Sequence, residues 1–73
     1  MNINLAINEG SKILNSKFIP NPLLDAEILM AKIINKDRNY ILLNYSNPSN
    51  KNDVNNFLKL IEQRSLGNPV AYL

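Results

Sequence analysis

The sequence predicts an all-α protein, a small bundle of four to five short helices in which residues 1–73 form one domain. Apolar residues recur at spacings of three and four along most of the chain, which is typical of amphipathic helices. Only one short apolar run resembles a strand, and no second run is present to pair with it. A chain of 73 residues buries only about 60% of its unfolded surface, so it has room for one core.

The first helix is predicted over residues 2–16. Its apolar stripe consists of Ile3, Ala6, Ile7, Gly10, Ile13 and Leu14. Gly10 lies on this stripe although glycine costs about 1 kcal/mol of helix propensity relative to alanine. We therefore expect another helix to approach closely at Gly10.

The second helix is predicted from Pro22 to Asn35. Pro20 holds the residue before it in an extended conformation, Asn21 is a suitable N-cap, and Pro22 fits the first helical position, where no N–H is needed. Apolar side chains then occupy nearly the whole helix circumference. We expect this helix to be the buried centre of the bundle.

A short third helix is predicted between Asp37, a plausible N-cap, and Asn44. The run Tyr40–Leu43 within it also has the composition of a strand, but a strand would have no partner. The stretch after Asn44 is rich in asparagine, serine and proline and predicts a turn.

The fourth helix is predicted to begin at Asn50 and to end at Gly67. Asn50 and Asp53 have the spacing of a capping box, with aspartate in place of the usual glutamate. Its apolar stripe consists of Val54, Phe57, Leu58, Ile61 and Ser65, with Leu60 beside it. The count of helices becomes five if residues 21–24 or the tail after Gly67 form a separate turn.

The composition excludes most catalytic repertoires. The chain has no cysteine and no histidine, so it lacks thiolate ligands, a cysteine nucleophile and the usual general base. It also has no phosphate-binding or dinucleotide-binding glycine loop. We expect no catalytic residue, no cofactor site and no metal site in these residues.

The charge pattern disfavours nucleic acid as a partner. The net charge is +2, and basic and acidic residues are interspersed along the chain without forming a basic stripe. No apolar run approaches the roughly 18 residues that cross a bilayer, and no signal peptide is apparent. These observations predict a cytoplasmic protein without a membrane partner.

Asp25 and Glu27 are the only closely spaced acids on the central helix. Positions two apart on a helix point to nearly opposite sides, so the two carboxylates cannot share one substrate. We expect each to be satisfied by an arginine, a lysine or a helix N-terminus, and Arg64 can reach one of them from the last helix. The residues predicted to have structural roles are Asp25, Glu27, Arg64, Gly67, Pro69 and Tyr72.

Three groups of residues resemble a known family. They are Leu24-Asp25-Ala26-Glu27 with Leu29, then Lys36-Asp37-Arg38, and finally Arg64, Gly67 and Pro69 to Leu73. In this order and spacing they are similar to the N-terminal domain of the HemK/PrmC family, the protein-(glutamine-N5) methyltransferases of peptide-chain release factors. The resemblance covers nearly the whole chain.

The resemblance implies an S-adenosylmethionine-dependent catalytic domain and a linker that follow Leu73. That family's catalytic asparagine-proline-proline-tyrosine motif is not matched by Asn21-Pro22 or Asn68-Pro69. The implied role of residues 1–73 is to dock a release factor so that its Gly-Gly-Gln loop enters the catalytic pocket. The implied partners are therefore release factors and the protein's own catalytic domain, and the apolar tail is expected to continue into the linker.

Two other functions remain open from the residues alone. One is a free-standing helical domain that binds another protein. The other is a small DNA-binding bundle with its recognition element within residues 36–45.

Overall fold

The computed structural model describes residues 1–73 and contains four α-helices followed by one 3₁₀ turn. The helices are α1 (Ile3–Ser16), α2 (Pro22–Ile34), α3 (Arg38–Leu43) and α4 (Lys51–Ser65), and the 3₁₀ turn is Val70–Tyr72. There is no strand, and the only bridge joins Asn2 to Pro48. The predicted all-α bundle is confirmed, and the fifth helical turn lies in the tail. None of the helices combines the length and apolar character needed to cross a membrane.

Helix α2 is the centre of the bundle, because it packs against each of the other three α-helices. Helices α1 and α4 also pack against one another. The buried core consists of Ile3, Ala6, Ile7, Leu14, Ala26, Leu29, Met30, Ala31, Ile41, Phe57 and Ile61. All four helices contribute to this core, which explains how so short a chain closes a single apolar interior.

Helix α2 is the centre of the bundle as expected, but it is not buried along one strip. Leu23, Leu24 and Ile28 are 48%, 40% and 37% exposed. Helix α2 has three helical neighbours, and one of them, α3, has only six residues, so its neighbours do not close around its whole circumference. The structure thus leaves apolar side chains of the central helix in contact with solvent.

The close approach predicted at Gly10 is confirmed. A Cβ atom added to Gly10 would lie 2.6 Å from Cζ of Phe57 and 3.0 Å from Cδ1 of Ile61. Both of these side chains are completely buried and belong to α4. The absence of a side chain at this position therefore allows α1 and α4 to pack face to face.

Side chains cap the N-termini of three helices. Asn2 accepts from the N–H of the third residue after it at 2.8 Å, Asp37 does the same at 2.8 Å and Asn50 at 2.7 Å. The carboxylate of Asp53 accepts a hydrogen bond from the side-chain amide of Asn50 at 3.0 Å. In a standard capping box it would accept from the backbone N–H of the N-cap residue instead. Asn21 occupies the predicted N-cap position of α2 but makes no side-chain cap bond.

Three helices end on a residue in the left-handed region. These residues are Phe18 (φ 61°), Asn35 (φ 58°) and Gly67 (φ 102°). In each case the next residue donates its N–H five residues back, at 3.1, 3.0 and 3.3 Å, which is the Schellman arrangement. Glycine and asparagine are usual at this position, whereas phenylalanine is not, and Phe18 is also 93% exposed.

Backbone hydrogen bonds join the chain's first residues to the turn after α3. Ile3 donates to the carbonyl of Asn47 at 2.9 Å, and Asn4 donates to the carbonyl of Tyr45 at 3.0 Å. These bonds hold the turn against the start of α1. They also fix the position of Tyr45, which takes part in the site described next.

Candidate functional site

The two acids of α2 are each paired with an arginine from a different helix. Asp25 binds Arg64 of α4, and Glu27 binds Arg38 of α3. The two carboxylates point away from one another, as expected for positions two apart on a helix. The structure therefore contains two separate ion pairs and no shared pair of acids.

The first ion pair connects α2 to the end of α4. Nε of Arg64 donates to Oδ2 of Asp25 at 2.9 Å, and the two side chains are only 19% and 13% exposed. Nη1 of Arg64 also donates to the carbonyl of Asn68 at 3.4 Å, just beyond the end of α4. One guanidinium therefore joins the first turn of the central helix, the last helix and the start of the tail.

The second ion pair includes a tyrosine. Glu27 has a side-chain exposure of 3%, and its Oε1 accepts from Nε of Arg38 at 3.1 Å and lies 3.0 Å from Nη2. Its other oxygen, Oε2, accepts a hydrogen bond from the hydroxyl of Tyr45. Both carboxylate oxygens are thus occupied, and a single side chain joins α2, α3 and the turn after α3.

The Tyr45 hydroxyl is held in its protonated form. The pKa of Tyr45 is raised from 10.0 to about 12, chiefly by burial and also by the hydrogen bond to Glu27 and the charge of Glu27, while the charge of Arg38 opposes the shift. At neutral pH the hydroxyl is therefore a donor to Glu27. This explains how a nearly inaccessible carboxylate has a partner on both oxygens.

Asp25 and Glu27 act as hydrogen-bond acceptors in ion pairs. Asp25 and Glu27 already accept from arginine, and no group of three or more potential metal ligands is assembled anywhere in residues 1–73. The remaining predicted residues lie apart from them. Gly67 follows α4 with a positive φ, Pro69 precedes the 3₁₀ turn, and Tyr72 is 83% exposed.

Sequence reasoning missed two partners of Glu27. In the sequence, Arg38 belongs only to the group Lys36-Asp37-Arg38 that resembles the family, and no pattern pairs Tyr45 with an acid. Tyr45 lies 18 residues after Glu27 in the chain, and no local periodicity predicts a contact across that separation. The contact between Tyr45 and Glu27 depends on how the turn after α3 folds back onto α1.

A shallow groove lies beside the Glu27–Arg38 pair. Its volume is about 340 Å³. The residues that line it are Pro20, Asn21, Pro22, Leu23, Leu24, Glu27 and Arg38. Its walls are thus formed by the connection before α2, the exposed strip of α2 and the half-exposed guanidinium of Arg38.

All six lysines are exposed at the surface. The two ion pairs both use arginines, and no lysine forms an ion pair. Of the acids outside those pairs, Asp37 accepts from a backbone N–H at the start of α3, and Asp53 accepts from the side-chain amide of Asn50. Glu9 and Glu62 have no side-chain hydrogen bond or ion pair. Pairing of the buried acids therefore leaves the net charge of +2 on the exposed surface.

Comparison with known proteins gives a family match over nearly the whole chain. The model of the PrmC N-terminal domain matches residues 6–73. The chain is 34% identical over 71 residues to a bifunctional methyltransferase of Rickettsia felis, which covers 97% of this chain and 14% of that protein. It is 33% identical over 67 residues to the release factor glutamine methyltransferase of Leptospira interrogans, which covers 92% of this chain and 23% of that protein.

A bifunctional methyltransferase of Rickettsia bellii is 36% identical over 67 residues, or 92% of this chain and 12% of that protein. The chain thus spans less than a quarter of the length of these relatives. No solved structure matches it.

Proposed function

The chain belongs to the PrmC N-terminal domain family, and we propose that it docks a peptide-chain release factor for a protein-(glutamine-N5) methyltransferase. The observation that carries this proposal is the family match over residues 6–73, supported by the similarity to a release factor glutamine methyltransferase. The methylated group is then the glutamine of the release factor's Gly-Gly-Gln loop.

The chemistry belongs, in this proposal, to a catalytic domain that follows residues 1–73. That domain binds S-adenosylmethionine and the target glutamine, and it is the second partner of this helical domain. The engagement of Asp25 and Glu27 in ion pairs supports a division of labour in which these residues build the fold. Action on release factors also implies a cytoplasmic location, where translation ends.

A docking domain accelerates such a reaction through binding energy at a distance from the reacting atoms. A release factor is a large substrate, and contacts far from its glutamine can hold it in the orientation that methyl transfer needs. A small domain with a single packed core and exposed apolar side chains is suited to this role.

Titration calorimetry tests the proposal directly. We expect the 73-residue chain to bind a release factor from the same organism with a saturable isotherm, and to give no isotherm with S-adenosylmethionine. Absence of release factor binding contradicts the docking function. A saturable isotherm with S-adenosylmethionine contradicts the assignment of the cofactor to another domain.

A further inference from the structure

The groove beside the Glu27–Arg38 pair combines apolar walls with one oriented cation. Leu23 and Leu24 are 48% and 40% exposed, although they belong to the central helix of the bundle. The groove is also lined by Pro20 and Pro22, whose rings add rigid apolar surface. Exposed leucines beside a concave surface are typical of protein-binding sites.

Arg38 lines this groove, and one nitrogen of its guanidinium has no partner. Its Nε and Nη2 both contact a single oxygen of Glu27, and Nη1 has no hydrogen bond or ion pair. The guanidinium is held in place because Glu27 is buried and is itself fixed by the Tyr45 hydroxyl. An oriented guanidinium with an unused edge is a ready partner for a carboxylate.

The charge around the groove favours an acidic occupant. Glu27 is the only acid that lines it, and both oxygens of Glu27 are occupied. Arg38 keeps 49% of its side chain exposed, whereas the side chain of Glu27 is only 3% exposed, so the accessible charge of the pair is positive. No unpaired carboxylate of the groove therefore opposes the approach of another one.

We infer that this groove is the part of the domain that receives the protein substrate, through a short acidic segment. A carboxylate of that segment pairs with the Nη1 edge of Arg38, and a neighbouring apolar side chain packs against Leu23 and Leu24. The volume of about 340 Å³ accommodates a few side chains and not a folded surface. This inference rests on the proposed docking function, because that function supplies the protein partner.

Opposite charges at one groove position test the inference. Leu24→Asp and Leu24→Lys remove the same apolar contact but place opposite charges beside Arg38. With an acidic segment as ligand, we expect the Kd for release factor of Leu24→Asp to exceed that of Leu24→Lys by about tenfold or more. Leu5→Asp and Leu5→Lys are the matched controls, because Leu5 is 55% exposed on α1 and does not line the groove; their Kd values should agree within about twofold.

Arg38→Lys keeps the charge but loses the planar donor edge, and we expect it to weaken binding by about tenfold. Circular dichroism checks that each variant is folded. If Arg38→Lys does not fold, the comparison of the two Leu24 variants tests the inference. Equal Kd values for the Leu24 variants, or tighter binding by Leu24→Asp, overturn the inference about the groove. The docking function still stands in that case if the unaltered chain binds release factor. If the unaltered chain binds no release factor, the docking function and this inference fall together.

Discussion

Asp25 and Glu27 are charged groups in a small apolar interior, so their arginine partners decide whether they stabilise the fold. A buried charge without a partner is strongly destabilising, whereas a paired one is close to neutral. Asp25 has one arginine, and Glu27 has an arginine and a tyrosine. Removal of one partner is therefore expected to cost more than an ordinary surface substitution.

Arg64→Ala should lower the free energy of unfolding by about 3 kcal/mol, because it leaves the largely buried carboxylate of Asp25 without its cation. Denaturant unfolding measures this change. Lys59→Ala is the control, since Lys59 is exposed on the same helix and forms no ion pair, and it should change stability by less than about 0.5 kcal/mol. An unchanged melting temperature together with weaker release factor binding would instead place Arg64 on the docking surface.

Tyr45 should make stability fall in alkaline solution. The folded state holds the phenolic proton more tightly, because the pKa of Tyr45 is raised from 10.0 to about 12. This contribution is complete below pH 10 and is lost as the pH rises from 10 towards 12. Urea unfolding between pH 9 and 11.5 measures the slope, and Tyr45→Phe should show a shallower one. Equal slopes would mean that Tyr45 has the same pKa in both states.

At the scale of the helices, local sequence predicts where each one begins and ends, but not what surrounds it. Asp37 and Asn50 cap helices as expected, and Gly67 ends α4 with a positive φ. The left-handed Phe18 was missed because composition gives no reason to expect phenylalanine there. The exposed strip of α2 was missed because periodicity shows which side chains are apolar and not how many neighbours cover them.

The same limit applies to the candidate site. The contact from Arg64 to an acid of α2 follows from helix position and charge, which the sequence contains. The contact from Tyr45 to Glu27 depends on a turn held by backbone bonds to α1, which no local pattern describes. The groove beside Arg38 is formed by residues from the connection before α2, from α2 and from α3, so it becomes visible only in the folded chain.

Gly10→Ala should destabilise the protein although alanine is the better helix former. The new methyl group would lie 2.6 Å from the buried ring of Phe57, and overpacking of this kind costs about 1–3 kcal/mol. Thermal unfolding measures the loss. Asn15→Ala, on the exposed side of α1, is the control and should be neutral or slightly stabilising. A Gly10→Ala variant as stable as the unaltered chain would show that α4 can move away without cost.

Phe18→Gly should stabilise the end of α1. Phe18 has a φ of 61° and is 93% exposed, so its replacement removes backbone strain of about 1 kcal/mol and little packing. Lys17→Gly is the control, because Lys17 has a φ of −103° and glycine there only adds flexibility to the unfolded chain. Chemical denaturation of both variants gives the comparison. Loss of stability in Phe18→Gly would mean that the ring contributes a contact that its exposure conceals.

At the scale of the whole molecule, one core joins all four helices, and the central helix contacts each of the others. Local patterns, caps and packing agree along the chain, which favours a cooperative fold. A domain of this kind can be removed from a larger enzyme as a unit. That makes its contribution to the reaction measurable.

Under the proposed docking function, deletion of residues 1–73 from the proposed methyltransferase should impair methylation of an intact release factor much more than methylation of a short peptide that contains the same glutamine. The intact factor loses contacts with the helical domain, whereas a short peptide has little docking energy to lose. Loss of uniform binding raises KM for the intact factor, and loss of orientation also lowers kcat. Steady-state kinetics with both substrates separate these effects, and circular dichroism checks that the catalytic domain remains folded. Equal slowing of both substrates by a folded deletion variant would replace the docking role with a supporting or allosteric one.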